Sequence, residues 1–403
     1  MTERFSKLGL LFVSLGAAVG LGNLWRFPYI SFRYGIEFVI VYIALALGFV
    51  VPIILGEYSL GRKNKGNILT PIKTVFKYAL PVLFLLVGTQ IFILSYYVPI
   101  TAITLDYAST PLQYTPSISD FIGSNLHITL FVIIVLLVLY IISKGLKKGF
   151  ELIMDILMPV FFIILLLIFM YVVFFIHNFS SLEFHPSNFF NIHMWADAFS
   201  QALFSLSAGV GVMIVYGSHA RKDENLFKLS YLVFLFDTCV SIIAYFILAG
   251  FLSTTNTPMN SSLLVSFNTF EELSRLLPFG NLLVLLFFTL LFLAAFTSVL
   301  STFETITLML SDFKSLKKRY IYYYIGALVL VLGFIAIKWN LISFFDNIAS
   351  TYLLTFSSML VSYIVGDKKT LKTTVKNEHL LNLYHIILRY INPILILLFF
   401  FIF

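Results

Sequence analysis

The chain has 403 residues, is 60% hydrophobic and only 11% charged. That combination excludes an ordinary soluble globule and fits a polytopic membrane protein. A net charge of +7 invites a nucleic-acid reading, but apart from Arg26, Arg33, Arg275 and Lys338 the basic residues fall in or beside alternate loops. This is the positive-inside bias of a membrane protein, so no nucleic-acid partner is expected.

The chain starts Met1-Thr2-Glu3-Arg4-Phe5-Ser6-Lys7 and then turns apolar. A signal peptide also begins this way, but no clean small-x-small cleavage site follows before Asn23, so this stretch is expected to remain as the first membrane helix. Eleven apolar segments are long enough to cross a bilayer, at about 20 residues each. They are 8–31, 36–60, 80–106, 127–144, 152–177, 197–218, 226–252, 281–310, 320–338, 342–365 and 379–402. Each loop from an even to an odd segment is basic: Arg62, Lys63, Lys65, Lys73 and Lys77; Lys144, Lys147 and Lys148; Arg221, Lys222 and Lys228; Lys314, Lys317, Lys318 and Arg319; Lys368, Lys369, Lys372 and Lys376. The opposite loops are nearly free of Lys and Arg, which predicts a cytoplasmic N-terminus and, after eleven crossings, an external C-terminus.

Segment 1 carries Ala17-Ala18-Val19-Gly20-Leu21-Gly22-Asn23-Leu24-Trp25-Arg26-Phe27-Pro28-Tyr29. Gly20 and Gly22 loosen the helical ladder and Pro28 cannot donate to it. Freed backbone groups in hydrocarbon are costly unless they line a polar cavity, and Arg26 adds roughly 2.5–3.5 kcal/mol on the insertion scale. These features suit a helix interrupted to hold an ion or a polar solute. In segment 3, Tyr96-Tyr97 offers hydroxyls near the segment's middle, away from the usual interfacial aromatic belt. Segment 6 has a second interruption, Phe204-Ser205-Leu206-Ser207-Ala208-Gly209-Val210-Gly211. It runs opposite to segment 1, and paired Gly-interrupted helices in two halves point to a binding site between inverted repeats.

Unwound N–H groups at 20–22 favour a carboxylate. The carbonyls of Gly16, Ala18 and Val19, with the side-chain oxygens of Asn23, Ser205 and Ser207, favour a hard cation. Close packing through small residues is the alternative. In segment 8, Thr297 and Ser298 either bond their own preceding carbonyls or complete an oxygen cage with Gly16 and Val19. Glu57, Asp237, Glu304, Asp312 and Asp346 are acids in apolar segments, where such a residue is a functional candidate. Glu57 and Asp312 lie near cytoplasmic ends, where solvation is the simpler reading. Asp237 lies deep in segment 7, and Arg26 and Asp346 both fall on the outer side, where they can meet across a vestibule. The single Cys239 excludes an internal disulfide and reads as packing.

These residues resemble the neurotransmitter:sodium symporter family and its prokaryotic amino-acid transporters. The likeness runs from segment 1 to segment 11 and rests on 16–29, Glu57-Tyr58-Ser59-Leu60-Gly61-Arg62, Lys148-Gly149-Phe150-Glu151 with Leu157-Met158-Pro159, 201–211 with Tyr216-Gly217-Ser218, and Arg389-Tyr390-Ile391-Asn392-Pro393. The resemblance implies an all-α polytopic membrane protein with a LeuT-type 5+5 inverted repeat, broken helices 1 and 6, and an eleventh helix. Residues 1–178 would form the first repeat, 179–366 the inverted second, and 367–403 a cytoplasmic loop and the last helix.

Carried over residue by residue, the resemblance implies a first sodium site at Ala18, Asn23, Ser205 and Asp237, shared with a substrate carboxylate. A second falls at Gly16, Val19, Ala294, Thr297 and Ser298. Ala18, Leu21, Gly22 and Tyr97 fall where the family holds an amino acid, with Phe204 as an aromatic lid. Ile93, Phe204, Ser207, Val210, Ser298 and Thr302 would line a mostly apolar side-chain pocket. Arg26 and Asp346 fall at the outer gate. Some positions set the chain apart within or from that pattern. Gly20 replaces the acid of amine transporters, which favours an α-amino acid. Asp237 stands where asparagine is frequent, with Ser241 one turn later, which implies that chloride is not required. Arg4 occupies a tryptophan's place before segment 1 and His219 that of a tyrosine, so an Arg4–Asp312 pair would be a rewired inner gate. Gly35-Ile36-Glu37 stands where the family has a run of glycines.

The expected function is sodium-coupled import of an apolar amino acid in the cell membrane of a prokaryote, with two sodium ions. A proton-coupled transporter, with Asp237 titrating, and a channel or sensor on the same scaffold are the alternatives. No metal-ligand spacing, nucleophile elbow or phosphate loop supports an enzyme.

Overall fold

The computed structural model describes residues 3–63, 68–109, 122–176, 184–255, 265–311 and 318–402 and contains no strand among them. Among the described residues, nine helices are long and apolar enough to cross a membrane: helix 2 (Ile36–Lys63), helix 3 (Ala79–Ser109), helix 4 (Asn125–Ser143), helix 5 (Leu146–Phe175), helix 7 (Leu226–Thr255), helix 8 (Gly280–Leu310), helix 9 (Tyr320–Lys338), helix 10 (Ile342–Val365) and helix 11 (Glu378–Phe400). Helix 1 is a bent pair, Lys7–Ala18 and Gly22–Tyr34, with 52° between its halves. Helix 6 is split more widely, into Ile192–Ser205 and Val212–His219. Every expected segment is thus helical, and both predicted breaks are present. The chain also forms an amphipathic connecting helix, Val265–Leu276, and short turns at Leu69–Val75 and Lys368–Leu371, none of them long enough to register as a crossing.

The packing places both breaks at the centre. Helices 3 and 8 run together, helix 5 covers helices 1 and 8, and helix 7 lies against the outer half of helix 1. The inner half of helix 6 crosses helix 2 so closely that a Cβ at Gly61 would meet the Ile214 carbonyl, and one at Gly217 the Tyr58 backbone. Small residues allow such approach where lipid offers no hydrophobic drive between helices. Cys239, read as a packing residue, instead lies exposed with Leu235 and Phe236 on the outward face of helix 7. Helical spacing gathers these three on one side, and an apolar thiol is compatible with lipid.

A helix cannot be interrupted at this depth unless its freed backbone groups find partners. In helix 6, Ser207, Gly209 and Gly211 take left-handed φ values of 49°, 82° and 81°. The N–H groups of Gly209 and Gly211 both donate to Glu57 Oε1 at 3.0 Å. Ser358 Oγ donates to the Ala208 carbonyl at 3.1 Å, and Gln90 Nε2 to that of Val210 at 2.9 Å. Side chains from helices 2, 10 and 3 therefore hold the break open. This corrects the reading of Glu57 as solvated: it is fully buried, because the helix 6 break needs an acceptor there.

Candidate functional site

The break in helix 1 is held in the same way. Ala18 ends the first half, the Leu21 N–H donates to Tyr97 Oη at 2.9 Å, and Gly20 N–H donates to Asn23 Oδ1 at 2.9 Å. Gln201 Nε2 donates to the Gly22 carbonyl at 2.9 Å and Ser207 Oγ to that of Ala17 at 2.6 Å. The second half opens with a widened turn in which Phe27 N–H reaches back to the Gly22 carbonyl. Gly20 has no room for a side chain: a Cβ would lie 2.7 Å from Tyr97 Oη and 2.9 Å from Ser298 Oγ.

Two oxygen-rich clusters flank this break. In the first, Ser298 Oγ lies 3.3 Å from the carbonyls of both Gly16 and Val19, and 3.0 Å from that of Ala294. Thr297 Oγ1 donates to Leu293 and Ala294 carbonyls at 2.9 and 3.1 Å. All five residues expected at the second cation site therefore adjoin, with Thr297 fully buried. The second cluster gathers Asn23, Ser205 and Asp237, each at most 1% exposed. Asn23 Nδ2 donates to Ser205 Oγ at 2.8 Å and to Asp237 Oδ1 at 2.6 Å. Ser205 Oγ donates to the Asp237 carboxylate at 2.8 Å, and Tyr42 Oη does so at 2.9 Å. Ser241 Oγ donates to the Asp237 carbonyl at 3.0 Å and lies 2.9 Å from Asn23 Nδ2. The Asp237 carboxylate therefore accepts from three donors, and Asn23 turns its oxygen toward Gly20 at the break.

Between the clusters lies a cavity of about 60 Å³ lined by Ala18, Gly22, Ile93, Tyr97, Phe204, Ser207, Val210, Ser298 and Thr302, all named from sequence. Leu21 instead lines an adjoining cleft of about 80 Å³, together with Arg26, Tyr96 and Asp346. Gln90, Leu94, Val212, Val299 and Leu354 also reach the cavity and were missed. Gln90 left a signal: with Ile93 and Tyr97 it follows the three- and four-residue spacing of one helix face.

Arg26 and Asp346 share the outer cleft but form no ion pair among the described residues. Arg26 Nη2 donates to Ser200 Oγ at 3.2 Å and its guanidinium stands 5.5 Å from the Phe204 ring centre. At the other end, Phe5 N–H donates to the His219 carbonyl at 3.1 Å and Ser6 N–H to Glu151 Oε1 at 2.8 Å. Phe5 packs edge-on against Phe150 and Tyr216. Asp312 lies outside the described residues, and with it the expected Arg4–Asp312 pair.

The fold is that of a solved structure, the crystal structure of MhsT in complex with L-phenylalanine: the TM-score is 0.88 at 24% identity, covering 99% of each chain. An uncharacterized sodium-dependent transporter of Methanocaldococcus jannaschii is 26% identical, over 90% of this chain and 82% of that protein. A second, from Bacillus subtilis, is 23% identical over 81% of this chain and 76% of its own length. The family profile named Sodium:neurotransmitter symporter family matches residues 3–117 and 107–403. With that match along nearly its whole length, this multi-pass membrane chain belongs to the sodium:neurotransmitter symporter family, a family of transporters and not of enzymes.

Proposed function

We propose that the protein is a sodium-coupled symporter that imports an amino acid with a largely apolar side chain by alternating access. The observation that carries this reading is one cavity between the breaks of helices 1 and 6, flanked by two clusters of oxygens. Gly16, Val19, Ala294, Thr297 and Ser298 would hold one sodium ion. Ala18, Asn23, Ser205 and Asp237, with the substrate carboxylate, would hold another. The Gly22 and Leu21 backbone and Tyr97 would orient that carboxylate. A carboxylate that ligands the ion directly makes each raise the other's affinity, and such linkage is reciprocal.

The contacts at the two ends fit an outward-oriented arrangement. The inner end is closed by Phe5, Ser6 and Glu151, while Arg26 and Asp346, above the cavity, form no ion pair with each other among the described residues. Closure would bring the outer pair together, and helices 1, 2, 6 and 7 would rock against 3, 4, 8 and 9. Loss of the ion at Thr297 and Ser298 would free helix 1 and open the inner side. The two repeats, 1–178 and 179–366, would supply the moving and fixed parts symmetrically. The loop charges support an N-terminus in the cytoplasm and a C-terminus outside, and the archaeal and bacterial relatives support the cell membrane of a prokaryote. The carboxylate of Asp237, a negative group in place beside the proposed ion, supports transport without chloride.

The test is accumulation of labelled amino acids in proteoliposomes under a sodium gradient. Replacing sodium by potassium or choline should abolish it. Undiminished uptake driven by a pH gradient in sodium-free medium would instead point to the proton-coupled reading.

A further inference from the structure

The few polar groups at the side-chain end of the cavity are left as acceptors. Gln90 lines it and is 1% exposed. Its Nε2 is committed to the Val210 carbonyl at 2.9 Å, with Met309 Sδ as a further neighbour at 3.6 Å. A carbonyl can only accept, so the amide cannot be turned the other way without setting two oxygens against each other. Its Oε1 is therefore left as a buried acceptor, and it has no partner among the described residues. The neighbouring hydroxyls cannot supply the missing donor from their observed positions. Ser207 Oγ–H goes to Ala17, Thr302 Oγ–H to Ser298 at 2.8 Å, and Ser298 Oγ–H to carbonyls of helices 1 and 8. Each of these oxygens can still accept.

The length of the cavity adds a constraint. Gln90 precedes Tyr97, at the carboxylate end, by two turns of helix 3, roughly 10 Å along the axis. A short aliphatic side chain anchored by its carboxylate at Tyr97 would stop well before Gln90. Between the two ends the walls are apolar: Ile93, Leu94, Val210 and Val299.

From this geometry we infer that the preferred substrate is an amino acid with a large aromatic side chain bearing an N–H or O–H donor, of the phenol or indole kind, and that Gln90 Oε1, which the cavity wall covers here, receives that donor when the ring enters. The inference rests on the amino-acid reading above and narrows it: the side chain is apolar along its length and polar at one point. A buried acceptor left unmatched costs the full desolvation of that group, and a site built to hydrogen-bond a substrate donor rejects the analogue lacking it more strongly than an apolar pocket rejects a change of size.

The experiment measures sodium-dependent equilibrium binding to the purified full chain for two matched pairs: tyrosine against phenylalanine, and tryptophan against its benzothienyl analogue, in which sulfur replaces the indole N–H. The unmodified protein should favour the donor-bearing member of at least one pair by about tenfold or more. Gln90→Met, which keeps the volume and removes the oxygen, should bring that pair to within about threefold, chiefly by improving the analogue. Equal binding within both pairs by the unmodified protein overturns the inference, whether or not the variant is stable. A preference that survives intact in a folded Gln90→Met protein overturns the assignment to Gln90. Sodium-dependent binding confined to short aliphatic amino acids overturns this inference while leaving the symporter reading standing. Absence of sodium-dependent binding for all twenty amino acids overturns both.

Discussion

Asn23 and Asp237 are joined directly: Nδ2 of the first lies 2.6 Å from Oδ1 of the second and 3.2 Å from its backbone carbonyl. One residue opens the outer half of helix 1 and the other sits in the middle of helix 7. Both are fully buried. The carboxylate fixes the amide's orientation, because only the nitrogen can face it. The Asn23 oxygen is thereby aimed back at the break, next to Gly20 and the cavity. A negative charge in helix 7 thus positions an oxygen on helix 1, which ties the electrostatics of one helix to the geometry of the other's break.

The cluster at Ser298 and Thr297 gives a direct test of a cation site. Thr297→Val keeps the shape and removes one oxygen. Sodium at half-maximal transport should rise by roughly tenfold or more, since contacts to a charged group are worth about 1.5–3 kcal/mol. An unchanged sodium dependence would assign the Thr297 hydroxyl to its hydrogen bonds with Leu293 and Ala294 alone.

At the outer cleft, Arg26 is engaged with Ser200 and Phe204 rather than with Asp346. If the pair forms only on closure, Arg26→Ala and Asp346→Ala should each depress uptake; Asp346→Ala should leave thermal stability within about 0.5 kcal/mol, whereas Arg26→Ala, which also loses its contacts with Ser200 and Phe204, should lower it by about 1–2 kcal/mol. A double-mutant cycle on transport should show coupling of about 0.5–3 kcal/mol. Strictly additive losses would show that the two charges act separately.

The helix 6 break should be intolerant of side chains. Gly209 has a left-handed φ of 82°, and a Cβ there would run into the backbone of Ser358 as well as its hydroxyl. Gly209→Ala should lower stability by at least about 1–2 kcal/mol, the cost of the left-handed conformation alone. Thermal unfolding followed by intrinsic fluorescence reads this, and an unshifted midpoint would mean that helix 10 yields easily at Ser358.

Both breaks were legible because glycine, asparagine, arginine and proline are out of place in a lipid-facing helix. The cavity lining was largely legible for the same reason: Tyr97, Ser207 and Ser298 are polar groups where hydrocarbon would exclude them. What escaped were partners brought from afar. Glu57 reads as a solvated helix end in sequence, because nothing local announces that Gly209 and Gly211, about 150 residues later, will bring it two N–H groups. Gln90 reads as one polar residue in an apolar run, and its meaning depends on the Val210 carbonyl of another helix. The connecting helix Val265–Leu276 escaped because its amphipathic pattern carries no long apolar run. The missing outer ion pair was beyond reach for another reason: a sequence encodes which charges can meet, and the conformation decides whether they do.

The Asp237 carboxylate gives the most discriminating prediction. It accepts from Asn23, Ser205 and Tyr42, but neutral donors do not cancel a buried charge, and an unpaired one at membrane depth is costly. A bound cation would balance it, and Asn23 and the Ala18 carbonyl would supply neutral ligands for that ion. On the proposed reading, Asp237 would carry on the protein the charge that a halide would otherwise supply. Transport should therefore be as fast in gluconate as in chloride medium. Asp237→Asn removes the charge and leaves Tyr42, Ser205 and Ser241 as hydroxyl donors around the site. That variant should need roughly tenfold or more sodium for half-maximal uptake, the scale of one buried charge-assisted contact, and added chloride should restore part of the loss. A strong chloride requirement in the unmodified protein would sink this account. Full activity of Asp237→Asn without chloride would do the same, since the charge would then have no part in holding the ion.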